Sequence, residues 1–353
     1  EGSRSLTRLA YPLWNLDRTW GADLTIAHRD EVVRQFRGSE LLRYDNPETV
    51  GTESAPYKYR LRTFEVDAHL RYATGQQVEH RLSAGYQFRF QAAELTPDFP
   101  ADDQIREAFR RDALPPPERN SGPVFGYSMF LPNWQTYRNI DTYELPEERR
   151  LGPYLDVNLA PVLEAFGSLN GFVGLSATAG ARADLGNRGF GLVEFSAGTR
   201  HRDGRFVDTQ LTGAIRVAPP PLFETLRFVI RARADRLIDD FQNRLLFAGG
   251  RNGLRGYQIG AFEGETRLIS NIELRSMAIP VWTMRVGAVG FWDFGHATDR
   301  LGDLQLRHDI GVGLRLLIPQ ANTLPLRADW AFPLSARRSG WPGRISVGFG
   351  QAF

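Results

Sequence analysis

The side chains that could perform acid–base or nucleophilic chemistry are scattered along this chain and form no recognised catalytic pattern. Of the six histidines, His69, His201 and His296 have neither a paired acid nor a nucleophile motif beside them. The sequence contains no Gly-x-Ser-x-Gly turn, which would present a serine nucleophile, and no His-Glu-x-x-His pair, which would hold zinc. We therefore expect a protein that is not an enzyme.

Cofactor, metal and nucleic-acid sites have equally little support. The glycine-rich stretch GGRNGLRG at 249–256 lacks the Gly-Lys-Ser/Thr ending of a phosphate-binding loop, and no helical pattern follows it. The chain has no cysteine, which excludes disulfides and cysteine-based metal centres. Its formal net charge is only +2, which disfavours a nucleic-acid-binding surface. We expect no cofactor, no metal and no nucleic-acid partner.

Alternation of apolar and polar residues dominates the 353-residue chain and predicts β-strands. In TFEVDAHLRY at 63–72, for example, every second residue is apolar and the residues between are polar. About fifteen such segments follow one another: 5–14, 19–36, 57–73, 77–93, 122–140, 148–164, 170–185, 188–202, 205–218, 222–237, 265–280, 282–297, 307–319, 324–335 and 343–353. Residues 102–112 predict one short helix within a loop.

Two features favour a transmembrane antiparallel barrel over a soluble β-sandwich. Aromatic residues recur on the apolar strand faces, as in Trp282, Trp292 and Phe294 on one strand and Trp330 and Phe332 on the next, which is typical of girdles at membrane interfaces. Short connections, at 15–18 and 74–77, alternate with long polar ones, at 37–56 and 94–121, as in an outer-membrane barrel with short periplasmic turns and long outer loops. No run of apolar residues is long enough for a transmembrane helix.

The order of motifs near the C-terminus resembles the barrel of the bacterial surface antigen family. The glycine-rich loop 238–264 carries Arg255, Gly256 and Tyr257, and the sequence FWDFG, with Asp293 and Gly295, follows on a later strand. That superfamily comprises BamA- and TamA-type barrel insertases, two-partner secretion transporters and barrels fused to patatin-like domains. The specific motifs lie in 245–353, although the layout matches over most of the chain.

The resemblance implies that the loop folds into the lumen and that Arg255 meets Asp293 there. Alternation places Asp293 on the same polar face as Arg285, which fits an inward orientation. A buried guanidinium needs a counter-charge, because burying a charge without one is costly. We therefore predict a lock between loop and lumen wall formed by Arg255, Gly256, Tyr257, Asp293 and Gly295.

The last strand combines one apolar face with one face of small residues. Ile345, Val347 and Phe349 fall on one face, and the chain ends at Phe353. A terminal strand that ends in phenylalanine resembles the signal with which outer-membrane barrels address the insertion machinery. We predict these four residues to form such a C-terminal signal strand.

The sequence departs from the family pattern in two respects. The family barrel has sixteen strands, whereas about fifteen are found, and the missing strand corresponds to the first of the family. No POTRA domain precedes the barrel in residues 1–353. With fifteen strands the first and last run in the same direction, so we expect an open seam between them, or a gap filled by residues absent from this sequence or by a partner chain.

Taken together, the sequence predicts an all-β transmembrane barrel of about 15–16 strands in the bacterial outer membrane, with lipid around it. The expected function is to assist insertion or secretion of polypeptides, with a polypeptide client or partner subunits. The alternative is a passive pore or a structural anchor within a larger outer-membrane complex. An outer-membrane hydrolase is the enzyme alternative, but no residue stands out as its nucleophile.

Overall fold

The structure is a computed structural model and describes residues 2–46, 48–49, 54–100, 102–334 and 343–352. Its strands, in chain order, are β1 Gly2–Tyr11, β2 Trp20–Arg34, β3 Phe36–Arg37, β4 Glu40–Leu41, β5 Arg43–Asp45, β6 Ser54–Pro56, β7 Lys58–Thr74, β8 Glu79–Leu95, β9 Glu118–Phe130, β10 Asn133–Tyr137, β11 Glu147–Val162, β12 Phe172–Asp184, β13 Phe190–Arg202, β14 Arg205–Ala218, β15 Leu226–Ile238, β16 Leu246–Ala248, β17 Phe262–Gly264, β18 Thr266–Ser276, β19 Ile279–Val281, β20 Met284–Thr298, β21 Arg307–Leu317, β22 Leu326–Pro333 and β23 Arg344–Phe349. One α-helix, α1 Asp103–Asp112, and two short 3-10 helices, Glu164–Phe166 and Leu301–Asp303, lie in loops. No helix in these residues is long and apolar enough to cross a membrane.

Seventeen of these strands form one antiparallel sheet, and fifteen of the seventeen are at least six residues long. Each long strand pairs with the next long strand along the chain, from β1 with β2 to β22 with β23. The short strands β10 and β19 add to β11 and β20. The predicted strand number is therefore confirmed, and the predicted segments agree with the observed bounds to within a few residues, except at 122–140.

Polar side chains lie on the inner face of the curved sheet and apolar side chains on the outer face. Glu273, Asp293 and Arg315 are 0% exposed, whereas Val312 and Leu314 are 57% and 62% exposed. A soluble sheet would reverse this arrangement, because water, not protein, would face the polar side. The exposed apolar face fits hydrocarbon, and the buried charged face requires internal pairing.

The two ends of the sheet differ. We call the end that carries 35–57, 96–117 and 239–261 the loop end, and the opposite end, which carries 12–19 and 75–78, the turn end. Because strands alternate in direction, the predicted long connections share one end and the predicted tight turns share the other.

Local chemistry explains individual connections. The β13–β14 hairpin turns through Asp203 and Gly204, whose φ angles of 52° and 76° are both positive. Asp-Gly is suited to this two-residue turn, because its backbone twist matches that of the flanking strands. This two-residue connection lies at the loop end, so the alternation of short and long connections is not strict.

Two details of the strand prediction were wrong. Residues 122–140 do not form one strand: β9 ends at Phe130, and Pro132, which lacks a backbone donor, separates it from β10. Trp282 does not lie on a strand with Trp292; it sits in the turn before β20 with a positive φ of 54° and is 93% exposed.

The sheet does not close on itself in the described part of the chain. No hydrogen-bonded ladder joins β1 to β23 among these residues, and every residue of β1 is exposed. Fifteen antiparallel strands are an odd number, so β1 and β23 run in the same direction. The open seam is therefore as expected from the strand count.

Candidate functional site

The long loop between β15 and β18 folds back against the inner face of the sheet. Its short hairpin, β16 with β17, positions an apolar cluster that anchors it to β18 and β20. The members of this cluster are Ala248, Leu254, Tyr257, Ile269 and Ala297. Gly253 permits the close approach, because a Cβ there would lie 2.2 Å from the Ile269 side chain and its φ is +97°.

The loop carries Arg255 directly onto Asp293. The Nε atom of Arg255 donates to Oδ2 of Asp293 at 2.7 Å, and its Nη2 atom donates to Oδ1 at the same distance. The pair is thus bidentate, a geometry that lysine could not supply. Arg255 is only 4% exposed and Asp293 is fully buried, so water does not screen the interaction.

The residues around Asp293 complete this arrangement. The ring of Phe291 lies under the guanidinium, with the Arg255 Cζ atom 3.4 Å from the ring centroid, which adds a cation–π contact. Asn271 donates to Asp293 Oδ1 at 2.8 Å and to the Gly253 carbonyl at 2.7 Å, so it bridges acid and loop. Gly295 lies where β20 meets β18; a Cβ there would be 2.3 Å from the Leu268 carbonyl.

Gly256 and Tyr257 fix the loop tip beyond the arginine. A Cβ on Gly256 would lie 2.6 Å from the Asp309 Cβ atom and 3.0 Å from the Pro333 nitrogen, so only glycine fits between β21 and β22. The Tyr257 hydroxyl donates to the His308 carbonyl at 3.1 Å. The Tyr257 carbonyl accepts from Arg344 of β23 at 3.1 Å, which links the loop to the last strand.

Arg255 and Asp293 belong to a larger buried network. The Nη1 atom of Arg255 donates to Glu273 at 2.6 Å and lies 3.5 Å from an oxygen of Asp329. Arg275 also donates a hydrogen bond to Glu273 at 2.7 Å, and Arg315 donates one to Asp329 at 2.5 Å. Three guanidinium groups thus face three carboxylates inside the sheet, spread over the loop and four strands.

A fourth carboxylate is left over beside this network. Asp309 on β21 stands directly opposite Asp293 on β20 and is fully buried. No ion pair to Asp309 occurs among the described residues. Two like charges in this position would repel each other.

The C-terminal strand presents its predicted apolar face outward. Ile345, Val347 and Phe349 are 62%, 56% and 66% exposed, and they stand opposite Trp330, Ala328 and Leu326 of β22. Phe353 lies outside the described residues.

The loops at the loop end form a packed cap. Helix α1 buries Ile105 and Phe109 against Tyr57 and Tyr59, and burial raises the pKa of Tyr57 to about 12. The Arg111 guanidinium, bonded to Asp112 at 2.7 Å, lowers the pKa of that carboxyl.

The cap also holds the inward loop. Asn243 donates to the Leu114 carbonyl at 2.9 Å, and the Gly38 amide donates to the Ile259 carbonyl at 2.9 Å. Arg37 and Glu263 form an ion pair at 3.0 Å. The inward loop is therefore fixed both at its tip and at its base.

A second segment folds across the turn end. The carboxylate of Glu147 accepts the backbone amides of Ile140, Asp141 and Thr142 at 2.9, 2.9 and 3.1 Å, which curls 138–146 inward. The segment then reaches β18 and the β21–β22 connection, because the Ile140 carbonyl accepts from Arg275 at 2.6 Å and Thr142 donates to the Thr323 carbonyl at 2.9 Å.

The charge of this turn-end segment is also paired. Burial opposes ionisation of Asp141, but its hydrogen bonds and charge contact with Arg216, together with Arg149, lower the pKa of the carboxyl. The Glu144 carboxylate accepts a hydrogen bond from Nε of Arg285 at 2.6 Å.

Several residues of the network were not predicted individually. The signal was present, since Asn271, Glu273 and Arg275 alternate along one polar face of β18. Alternation shows that such residues point inward, but it does not show which of them meet across the lumen.

A known protein family matches the region of the inward loop and the terminal strand. Residues 239–353 match the family described as the Omp85 superfamily domain. No curated protein matches the sequence. Similar solved structures include BamA from Haemophilus ducreyi lacking POTRA domains 1–3, with a TM-score of 0.45 and 12% identity over 99% of this chain and 62% of that one.

CdiB from Escherichia coli gives a TM-score of 0.42 at 13% identity, over 94% of this chain and 58% of that one. The chain thus spans about three fifths of the length of these structures. The match at 239–353 covers the loop with Arg255, the strand with Asp293 and the terminal strand, and it confirms the resemblance noted from the motifs. Residues 239–353 are therefore similar to the Omp85 superfamily domain.

Proposed function

We propose that the chain is the barrel of a bacterial outer-membrane machine that inserts or secretes polypeptides, and that it works by binding and transport rather than by covalent catalysis. Its exposed apolar face and buried charged face suit a sheet surrounded by lipid. The similarity of residues 239–353 to the Omp85 superfamily domain supports this class of function.

The observation that carries the proposal is the open seam between β1 and β23. In lipid, unpaired backbone N–H and C=O groups are costly, so both free edges favour pairing with another strand. The two edges run in the same direction, so one strand lying antiparallel to both would pair with each of them and complete sixteen. Residues outside this sequence or a partner chain could supply such a strand, and we propose that a client polypeptide in extended conformation does so.

The inward loop gives the seam a rigid support. Arg255 ties the loop to acids on β18, β20 and β22, and Arg344 ties β23 to the Tyr257 carbonyl. The last strand can therefore exchange pairing partners on its free edge while its inner face stays attached. We propose that Arg255, Gly256, Tyr257, Asp293 and Gly295 act together as this lock.

The test is to close the seam chemically. Because the chain has no cysteine, Leu6→Cys and Ser346→Cys can be joined by a flexible bis-maleimide; both positions lie on the inner face. The purified chain in proteoliposomes is then offered an unfolded outer-membrane polypeptide, and its protease-resistant insertion is measured. We expect crosslinking to abolish the assisted insertion.

The matched control joins Thr178→Cys to Ser196→Cys, two residues already opposite each other on β12 and β13. This crosslink should leave insertion unchanged. Insertion that is equally fast with the seam closed would reject the proposal. Large steady conductance in planar bilayers without any client effect would instead favour the passive pore.

A further inference from the structure

Beside the Arg255 network lies a cavity of about 220 Å³ whose charged lining is entirely cationic. It is bounded by the loop tip and by strands β15, β18, β22 and β23. Six arginines line it, and no aspartate or glutamate does: Arg231, Arg233, Arg251, Arg255, Arg267 and Arg327.

Three of these arginines are neutralised by acids outside the cavity. Arg233 and Arg267 share Asp235 at 2.8 and 2.7 Å. Arg255 is held by Asp293 and Glu273. These guanidinium groups have their counter-charges already.

The other three arginines have no paired counter-charge among the described residues. Arg231, Arg251 and Arg327 form no side-chain hydrogen bond and no ion pair within the described residues. The Nε atom of Arg327 is buried and has no hydrogen-bond partner there. Asp329, the acid nearest to Arg327 in sequence, has one oxygen bound by Arg315 at 2.5 Å and the other 3.5 Å from Arg255.

From this surplus of unpaired guanidinium groups we propose that the cavity binds a phosphate-bearing anion. A guanidinium fork matches the oxygens of phosphate. Arg231 and Arg327 are half-buried without a paired anion, which is costly, and the exposed Arg251 adds a third guanidinium at the rim of the cavity. A multiply charged phosphate would satisfy three arginines at once, whereas a single carboxylate would satisfy one. Asn252, Asn271 and Ser346 on the same wall offer neutral hydrogen-bonding groups.

The site differs from a phosphate loop, in which backbone amides at a helix start bind the ligand. Here side chains from distant strands converge, and Ser346 and Ala352 bring the C-terminal segment into the lining. Bound phosphate would therefore join the loop tip, the β15 wall and the last strand. The inference is independent of the proposed transport activity.

The test is isothermal titration of the folded chain in non-ionic detergent at low ionic strength. The ligands are sodium pyrophosphate, short-chain phosphatidylglycerol and tetraglutamate. We expect saturable binding of a phosphate ligand that weakens about tenfold or more in the double variant Arg231→Gln/Arg327→Gln, since each charged hydrogen bond contributes substantially to affinity. Whichever phosphate ligand binds more tightly identifies free phosphate or a lipid headgroup as the source.

Two further variants make the result decisive. Arg251→Gln lies on the loop, outside the strands, and should weaken binding without affecting strand pairing. Arg182→Gln, an arginine of β12 that does not line the cavity, should bind as the unmodified chain does. Absence of saturable phosphate binding, equal binding by the double variant, or binding of tetraglutamate alone would each overturn the proposal.

Discussion

Removal of Arg255 is expected to be the most damaging single change in the buried network. In Arg255→Ala, Asp293 keeps only Asn271 as a side-chain donor among the described residues and still faces Asp309. Breaking a buried ion pair by removing one partner costs about 3–5 kcal/mol. We expect a loss of this size in the free energy of unfolding.

Removal of Asp293 should cost less, because the two variants leave different groups unpaired. In Asp293→Ala, Arg255 keeps Glu273 at 2.6 Å and Asp329 at 3.5 Å. The expected loss is about 1–3 kcal/mol, the cost of unsatisfied donors rather than of a lone charge. The double variant removes both charges and should be no less stable than Arg255→Ala alone.

The assay is equilibrium unfolding by guanidinium chloride in detergent micelles, followed by tryptophan fluorescence. Arg60→Ala is the control: Arg60 binds Asp30 with the same bidentate geometry, at 2.7 Å for both bonds, but is 52% exposed. It should change stability far less than Arg255→Ala, because water screens exposed pairs. Strictly additive losses in the Arg255/Asp293 cycle, or a control loss as large as that of Arg255→Ala, would refute the reasoning.

Four other predictions follow from the geometry. Gly256→Ala should cost about 1–3 kcal/mol and expose the loop to protease, because its Cβ would meet Asp309; an uncleaved loop would contradict this. Asp309→Asn should leave stability unchanged or raise it by roughly 0.2–1 kcal/mol in guanidinium unfolding, since an amide cannot ionise and repel Asp293 as a carboxylate would; a clear loss would show that the carboxyl group is needed. The pKa of Asp141 is lowered from 3.8 in the folded chain. The ionised carboxylate therefore stabilises the fold above pH 3.8, and this stabilisation is lost as the pH falls through the folded-state pKa. Acid unfolding of Asp141→Asn should lack this pH-dependent loss of stability. In intact cells protease should cut within 94–121 and spare 15–18, and the reverse pattern would invert the topology.

Much of this architecture was predictable, because strand formation leaves a local record. Alternation with a period of two needs only neighbouring residues, and it identified fifteen strands and the inward orientation of Asp293. The same strand count implied edges of equal direction and hence an open seam. The pairing of Arg255 with Asp293 came from the family resemblance, and the structure places these two residues together.

The remaining features depend on which distant residues the curvature of the sheet brings together. Arg255 and Asp329 are 74 positions apart in sequence, and no periodicity relates them. The cavity lined by arginines needs residues of β15, β18, β22 and β23 to converge beneath the loop. Likewise, the inward fold of 138–146 depends on contacts with Arg275 of β18 and with Thr323 of the β21–β22 connection. Alternation decides which face of a strand a side chain occupies, but register, curvature and loop position decide what it meets, and these are set only when all strands are paired.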